Sequence, residues 1–272
     1  MNPLAIASLP AALVFDQMAS KYDDVFTRSS IGRAQRDAVW SVLTQAFRSG
    51  DHVLELNCGT GEDALFLARQ AISVTACDAS HQMIQVASKR LQTEAPNAHV
   101  QFNLLPTERL CELKPAAMFD GAFSNFSGLN CVPDLKQAAN DLATMLSINA
   151  ALVICLSTRF CIWEMIWFLL HGKFRKAFRR CSGHATATVG EFTIDVYYPT
   201  VRKLQQIFAP SFVMRSCKGV GIVVPPSYVD ASIRCHPKLL RLLCAIDRII
   251  CAFPGFRIFG DHMVLRFERV SA

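Results

Sequence analysis

The chain has 272 residues, 51% of them hydrophobic and 18% charged, with 28 Lys and Arg against 22 Asp and Glu for a formal charge of +6. There is ample material for one large core, which excludes a disordered or low-complexity chain. The mild positive charge does not by itself make a nucleic-acid binder, and it favours an acidic or membrane-proximal partner. Eleven cysteines are spread along the chain without a Cys-x-x-Cys pair. They read as small buried hydrophobes in a reducing cytosol, and no metal site is expected.

In chain order, the apolar stretch 1–14 lacks a basic leader and is interrupted by Pro10, so it reads as an N-terminal arm of a cytoplasmic protein. No apolar run reaches the length of a spanning helix. Residues 33–47 have helical periodicity, with Gly50 beyond the end. Strands are expected at 53–56, 73–77, 100–104, 118–124 and 150–156. Helices are expected between them at 62–70, 81–91 (capped by Ser80) and 133–146 (opened by Pro133). Such alternation implies a parallel sheet with helices on both faces. Further on, 160–170 is densely apolar and is followed by a basic run at 173–180. Two short strands at 185–189 and 192–198 flank Gly190-Glu191 as a hairpin. A helix at 199–208, a strand at 212–224, an amphipathic helix at 236–253 and a last strand at 262–270 complete the chain.

The most informative run is Val53-Leu54-Glu55-Leu56-Asn57-Cys58-Gly59-Thr60-Gly61-Glu62-Asp63, followed by Val74-Thr75-Ala76-Cys77-Asp78. A strand ends in a tight glycine turn and enters a helix, and the next strand ends in an acid. That is the first βαβ unit of a nucleotide-binding sheet. The glycines also fit the loose dinucleotide fingerprint. A pyrophosphate, however, needs a neutral or positive cradle, and Glu55, Glu62 and Asp63 surround this turn with carboxylates. A cationic ligand suits them better.

With these residues the chain resembles the class I S-adenosylmethionine-dependent methyltransferases, closest in style to the type 11 and quinone-methyltransferase-like branch. Phe15-Asp16-Gln17-Met18-Ala19-Ser20-Lys21-Tyr22-Asp23 is similar to that branch's entry helix, and Phe119-Asp120-Gly121-Ala122-Phe123-Ser124-Asn125 to its fourth strand. The likeness covers residues 15–157 well. Asn57 stands where many members have glycine, and Asn tolerates the left-handed backbone that the turn needs.

The resemblance implies a Rossmann-like α/β fold with a mostly parallel seven-stranded sheet and a lid inserted after the fifth strand. A single domain 1–272 would comprise a helical cap (1–50), a cofactor-binding core (51–157), a lid with a hairpin (158–198), and closing strands (199–272) carrying an inserted helical segment (225–260). S-adenosylmethionine is the implied cofactor. Glu55 would anchor its ammonium, Asp78 its ribose, and Gly59 and Gly61 would let the backbone approach. Tyr22 would close over it, and Arg33 or Arg36 would reach its carboxylate. Asn57, Ala79, Met83 and Ser124 complete the implied cofactor shell. Adenine would be met by Glu108, or by backbone and apolar packing alone.

Asn125, after the fourth strand, is a candidate to shape the methyl-transfer site. Asn130 is a second, and His171, His184, Tyr197 and His262 are candidate bases. No proline pair of the kind used in amino-directed nucleic-acid methylation follows the fourth strand, so a small, hydrophobic or aromatic acceptor is expected and no nucleic acid. Trp163, Trp167 and Phe168 with the basic run read first as a pocket lid. They read next as a peripheral membrane contact through 160–180, and last as a nucleic-acid grip. The rivals are an NAD(P)-dependent oxidoreductase using the same turn, and a non-catalytic cofactor-binding or membrane-associated protein.

Overall fold

Strand segments buried on both faces alternate with one-sided helices, and this pattern closes into a covered parallel sheet. The computed structural model describes residues 9–189 and 191–271. Strands β1 (His52–Leu56), β2 (Ser73–Asp78), β3 (Val100–Leu104), β4 (Phe119–Ser124) and β5 (Leu146–Ser157) pair in parallel in the order β3-β2-β1-β4-β5. A separate antiparallel hairpin follows, β6 (His184–Val189) with β7 (Phe192–Tyr197). The main sheet is completed by β8 (Phe212–Val220) and β9 (His262–Arg269), with β9 running antiparallel between β5 and β8. The order reverses between β1 and β4, and at such a switch point the carboxyl ends of the strands flank a crevice.

Helices α1 (Pro10–Tyr22), α2 (Ser30–Ala46), α3 (Glu62–Ala68), α4 (His81–Glu94) and α5 (Leu135–Met145) accompany these first strands. Strand alternation divides the core in two. Leu54, Leu56, Leu152 and Phe267 pack toward Leu135, Ala139 and Leu142 of α5, while Val53, Phe123, Val153 and Val264 pack toward Val39 and Leu43 of α2 and Leu67 of α3. Side-chain caps set several helix starts. The Ser29 hydroxyl accepts from the Gly32 amide, which begins α2 three residues earlier than its periodicity predicts. Ser80 caps α4 as expected. Asp134, rather than Pro133, opens α5. Asn57 takes the left-handed conformation (φ 54°) that its place in the turn requires.

The later helices are α6 (Ile162–Leu170), α7 (Phe174–Ala177), α8 (Val201–Phe208), α9 (Asp230–Ile233) and α10 (Pro237–Ile250). The strand expected at 212–224 ends at Val220. Gly221 turns the chain (φ +66°), and the Asp247 carboxylate of α10 accepts from the amides of Ile222, Val223 and Val224 in place of a strand neighbour. Glu164 of α6 is buried and accepts from both Arg179 and Arg180, and Arg180 continues to Asp261 at the edge of β9. Two members of the basic run therefore form ion pairs with Glu164, Arg180 buried and Arg179 at the surface. Among the described residues, no helix is long and apolar enough to cross a membrane.

Gly61 shows how tightly the turn is seated. A Cβ there would meet Phe102 at 2.8 Å and Ala87 at 2.9 Å, at φ +76°, whereas a Cβ on Gly59 (φ +52°) meets nothing within 4 Å. Gly61→Ala is expected to cost about 2–4 kcal/mol of stability through backbone strain and overpacking. Gly59→Ala should cost about 1–2 kcal/mol, from the backbone conformation alone. Urea unfolding of the two variants checks the order.

Candidate active site

A cleft opens at the carboxyl ends of β1, β2 and β4, where α/β sheets place their ligands. Its floor is the turn from Asn57 to Thr60. Asp78, Ala79 and Met83 form one wall, and Asn125, Phe126 and Gly128 the other. Glu108, Cys131 and Val132 lie at one side, while Ala12, Phe15, Tyr22 and Arg36 come from the first two helices.

Asp78 is held by backbone amides. One carboxylate oxygen accepts from the Gly59 amide and the other from the Ser80 amide, both at 2.8 Å. The side chain is 8% exposed, and burial pushes its pKa up to about 6 despite these donors. Each oxygen keeps acceptor capacity for hydroxyl donors in the cleft. The turn is pinned from the far side as well. Asp23, in the π-helical turn after α1, accepts from the Thr60 hydroxyl (2.7 Å) and from Arg90, and Arg90 also donates to the Thr60 carbonyl (2.8 Å). Asp16 of α1 accepts from the Ser80 hydroxyl and the Gln82 amide, tying the entry helix to the start of α4. Burial pushes the Tyr22 phenol up to about 12, so it presents a neutral hydroxyl.

A second network sits beneath the opposite wall. Asp63, buried at the start of α3, accepts from Arg36 (2.6 Å), from the Trp40 indole (2.6 Å) and from the Asn125 amide (3.0 Å). Arg36 is buried and lies over Phe126, 5.0 Å from the ring centroid. Glu55 points to the same side of the sheet, 1% exposed, with one carboxylate oxygen lacking any hydrogen-bond partner. Desolvation, aided by the neighbouring Asp63 carboxylate, holds its pKa well above the carboxylate range. At the end of β4, Phe126 (φ 44°) and Ser127 (φ 69°) are consecutive non-glycine residues in the left-handed region. Each costs of order 1–3 kcal/mol, a kind of strain that clusters at functional sites. Asn57 meets this loop directly, since a Cβ on Gly128 would lie 2.3 Å from the Asn57 Cβ.

Of the twelve residues expected around a cofactor, Tyr22, Arg36, Asn57, Gly59, Asp78, Ala79, Met83, Glu108 and Asn125 line the cleft. Glu55 lies beneath it, Gly61 packs on Phe102 and Ala87, and the Ser124 hydroxyl donates to the Asn57 side chain from behind the wall. Arg33 is exposed and pairs with Glu62, which leaves Arg36 as the cleft arginine. The Asn125 donor is spent on Asp63 and its carbonyl oxygen accepts from the Phe126 amide, so Asn125 holds the loop. Asn130 likewise donates to the Tyr197 carbonyl and accepts from the Ser157 amide.

The candidate bases are corrected. His171 is exposed and bonded to the Trp167 carbonyl. His184 is exposed on the hairpin and paired with Asp195, and the Tyr197 ring stacks near it. None of the three lines the cleft. His262 is buried edge-on against Phe126, and desolvation holds its pKa below the usual histidine value. Trp163, Trp167 and Phe168 do not line the cleft either. The Trp163 indole donates to the Val223 carbonyl, and the other two rings lie beside Tyr228, because the half-buried aromatic side of the helix packs on the chain's own 222–229 segment. Asp23, Trp40, Arg90 and Phe126 escaped the sequence reading. Only Asp63 carried a visible signal, as an acid in the first turn of the helix.

Residues 53–149 match the methyltransferase domain family. A 2-phytyl-1,4-naphtoquinone methyltransferase of Trichormus variabilis is 30% identical over 149 residues, which are 52% of this chain and 62% of that enzyme. The chain therefore spans less than two thirds of that relative's length. Among solved structures, the (4+2)-cyclase SpnF superposes with a TM-score of 0.64 at 14% identity over 96% of each chain. The complex of DhpI with S-adenosylhomocysteine does so with a TM-score of 0.59 at 16% identity, covering 97% of this chain and 98% of that one. These structural likenesses establish the shared fold, and the sequence match adds a likeness over residues 53–149. Over residues 53–149, the chain is therefore similar to methyltransferase domains, on a fold shared with S-adenosylmethionine-dependent methyltransferases.

Proposed function

We propose that the protein transfers a methyl group from S-adenosylmethionine to a small, hydrophobic or aromatic acceptor. The observation that carries this reading is the pairing of the Asp78 carboxylate with an open glycine turn, in a cleft ringed by carboxylates. Asp78 keeps acceptor sites for two adjacent hydroxyls, as on a ribose. The acidic start of α3, with Glu62 lining the cleft and Asp63 beside it, offers no positive cradle for a pyrophosphate. This disfavours a nicotinamide dinucleotide.

When bound, the cofactor supplies a methyl carbon activated by a sulfonium. The chain's own residues would hold and exclude. Asp78 would hold the ribose, Gly59 would admit the backbone to close contact, and Tyr22 with the α1 side chains would keep water out. Arg36 lies nearest to meet a carboxylate, although Asp63 already shares its charge. Among the described residues no histidine lines the cleft, so catalysis would rest on aligning acceptor, methyl and leaving group rather than on a dedicated imidazole base. Ala12, Phe15, Phe126 and Val132 give the cleft an apolar side, and quinone methylation is the activity named for the relative above. Both support a lipophilic acceptor.

Calorimetric titration tests the reading. S-adenosylmethionine and S-adenosylhomocysteine should bind the wild type, and NAD and NADP should not. Asp78→Ala should weaken the first pair by about 100-fold or more, since two hydrogen bonds to a charged group are lost. Binding of a nicotinamide nucleotide instead would sink the proposal.

The raised pKa of Asp78 adds a pH dependence. Hydroxyl donors favour the ionised carboxylate, so affinity should be flat above about pH 7 and fall as pH drops through about 6. In the free protein the sign is opposite for stability. The folded state holds this proton more tightly than the unfolded chain, whose value is 3.8. The contribution is therefore fully present below 3.8 and lost as pH rises through about 6. Titrations from pH 5 to 8, on wild type and Asp78→Asn, separate this group from others.

A further inference from the structure

The two inserts that follow β5 and β8 leave an unusual surface. Helix α10 is 14 residues long and contains no buried residue. Leu239, Leu242, Ile246, Ile249 and Phe253 recur at alternating spacings of three and four, which places them on one stripe. All five are exposed, Leu242 by 57% and Ile249 by 70%. The adjoining stripe, Leu240, Leu243, Asp247 and Ile250, is the one turned toward the fold, where Asp247 caps the 222–224 amides. The helix is thus apolar on two sides, and among the described residues nothing packs on the outer one.

The other insert repeats the pattern. Ile166 (47%), Leu170 (79%), Phe174 (63%) and Phe178 (47%) are exposed on α6 and in the α7 turn. Both inserts rest on the same short segment. Trp163 of α6 donates to the Val223 carbonyl, and the Tyr228 ring meets Trp167 and Phe168. Asp247 of α10 holds the amides on the same stretch. The Ile162 amide also donates to the Phe259 carbonyl, joining α6 to the end of the second insert.

Charge decides what such a surface fits. Residues 158–183 and 231–260, the parts of the inserts that build this face, together hold eleven of the 28 Lys and Arg but only two of the 22 Asp and Glu. Both acids are spent internally, Glu164 on Arg179 and Arg180, and Asp247 on backbone amides. Lys173, Arg175, Lys176, Lys238, Arg241 and Arg248 are exposed beside the apolar side chains. A second copy meeting this face about a two-fold axis would bring like charges together. A surface that takes up apolar side chains and offers negative headgroups at their rim meets both requirements. Long cationic side chains can bury their stems and leave the charge at that boundary.

We infer that the face formed by α6, α7 and α10 docks the protein peripherally on an anionic lipid bilayer, with the α10 stripe and Phe253 entering the headgroup–acyl boundary. This does not rest on the methyl-transfer reading, because the docking face and the cleft share no residue.

Flotation of the full chain with vesicles tests it. Phosphatidylcholine vesicles are compared with vesicles containing phosphatidylglycerol, at low and high salt. The wild type should float with the anionic vesicles, less so in high salt, and remain in solution with the neutral ones. Leu242→Asp/Ile249→Asp should lose at least about tenfold in partitioning, and Lys238→Glu/Arg241→Glu a comparable amount together with the salt sensitivity. Melting temperature and S-adenosylmethionine affinity should be unchanged in both, since the substituted side chains are exposed and remote from the cleft. Equal partitioning of wild type onto neutral and anionic vesicles would overturn the inference, as would wild-type-like partitioning of the variants. So would a wild-type dimer that ignores vesicles and becomes monomeric in Leu242→Asp/Ile249→Asp, which would assign the stripe to a second copy.

Discussion

The hydrogen bond from the Gly59 amide to the Asp78 carboxylate joins the end of β1 to the end of β2, and the rest of the site is arranged around it. To donate, the turn must lift its backbone into the left-handed region at Asn57, Gly59 and Gly61. To accept from backbone, Asp78 must stay near the ionised form in a buried place, which costs free energy that the paired amides offset. Asp23 and Arg90 then fix the turn from outside, and Asp16 fixes the Ser80 end. The entry helix is thereby held against the very segment over which a ligand would lie.

Carboxylates are used in two different ways around this centre. Asp63 is neutralised by a buried arginine, an indole and an amide, and so serves as scaffold. Glu55 has no such company, and its burial favours the protonated form in the free protein. The contrast explains why acids so close in sequence need not act alike. Solvation and partners, rather than residue type, decide which one offers charge to the cleft. The likeness to a cyclase with the same fold makes the related point at the scale of the whole chain, because a shared fold leaves the chemistry to the site.

The parallel sheet was legible because strand length, glycine turns and helix caps are local signals. Ser80 and Asn57 took the roles their chemistry predicts. The Asp78 position was legible because strand ends at a switch point converge on one crevice. The clamp of Asp23, Thr60 and Arg90 was not legible, since its members lie up to 67 residues apart and nothing local marks an arginine that will reach a distant loop. The candidate bases failed for the same reason. His171 and His184 are polar residues in an insert, and only the packing of that insert reveals that they do not line the cleft. Trp163 and Trp167 looked like a pocket wall by composition, yet the helix spends them on its own neighbouring segment.

The uneven division of charge between the inserts and the rest of the chain has a consequence before any contact is made. The inserts 158–198 and 225–260 carry the chain's whole formal charge of +6 and meet on the 222–229 segment, so that charge sits on one side of the molecule and gives it a permanent electric dipole. Near a charged surface such a molecule experiences a torque as well as an attraction, and at low ionic strength both act from about a Debye length or more away. It would therefore arrive already turned, and the orientational search that slows most encounters would be shortened in proportion to the field.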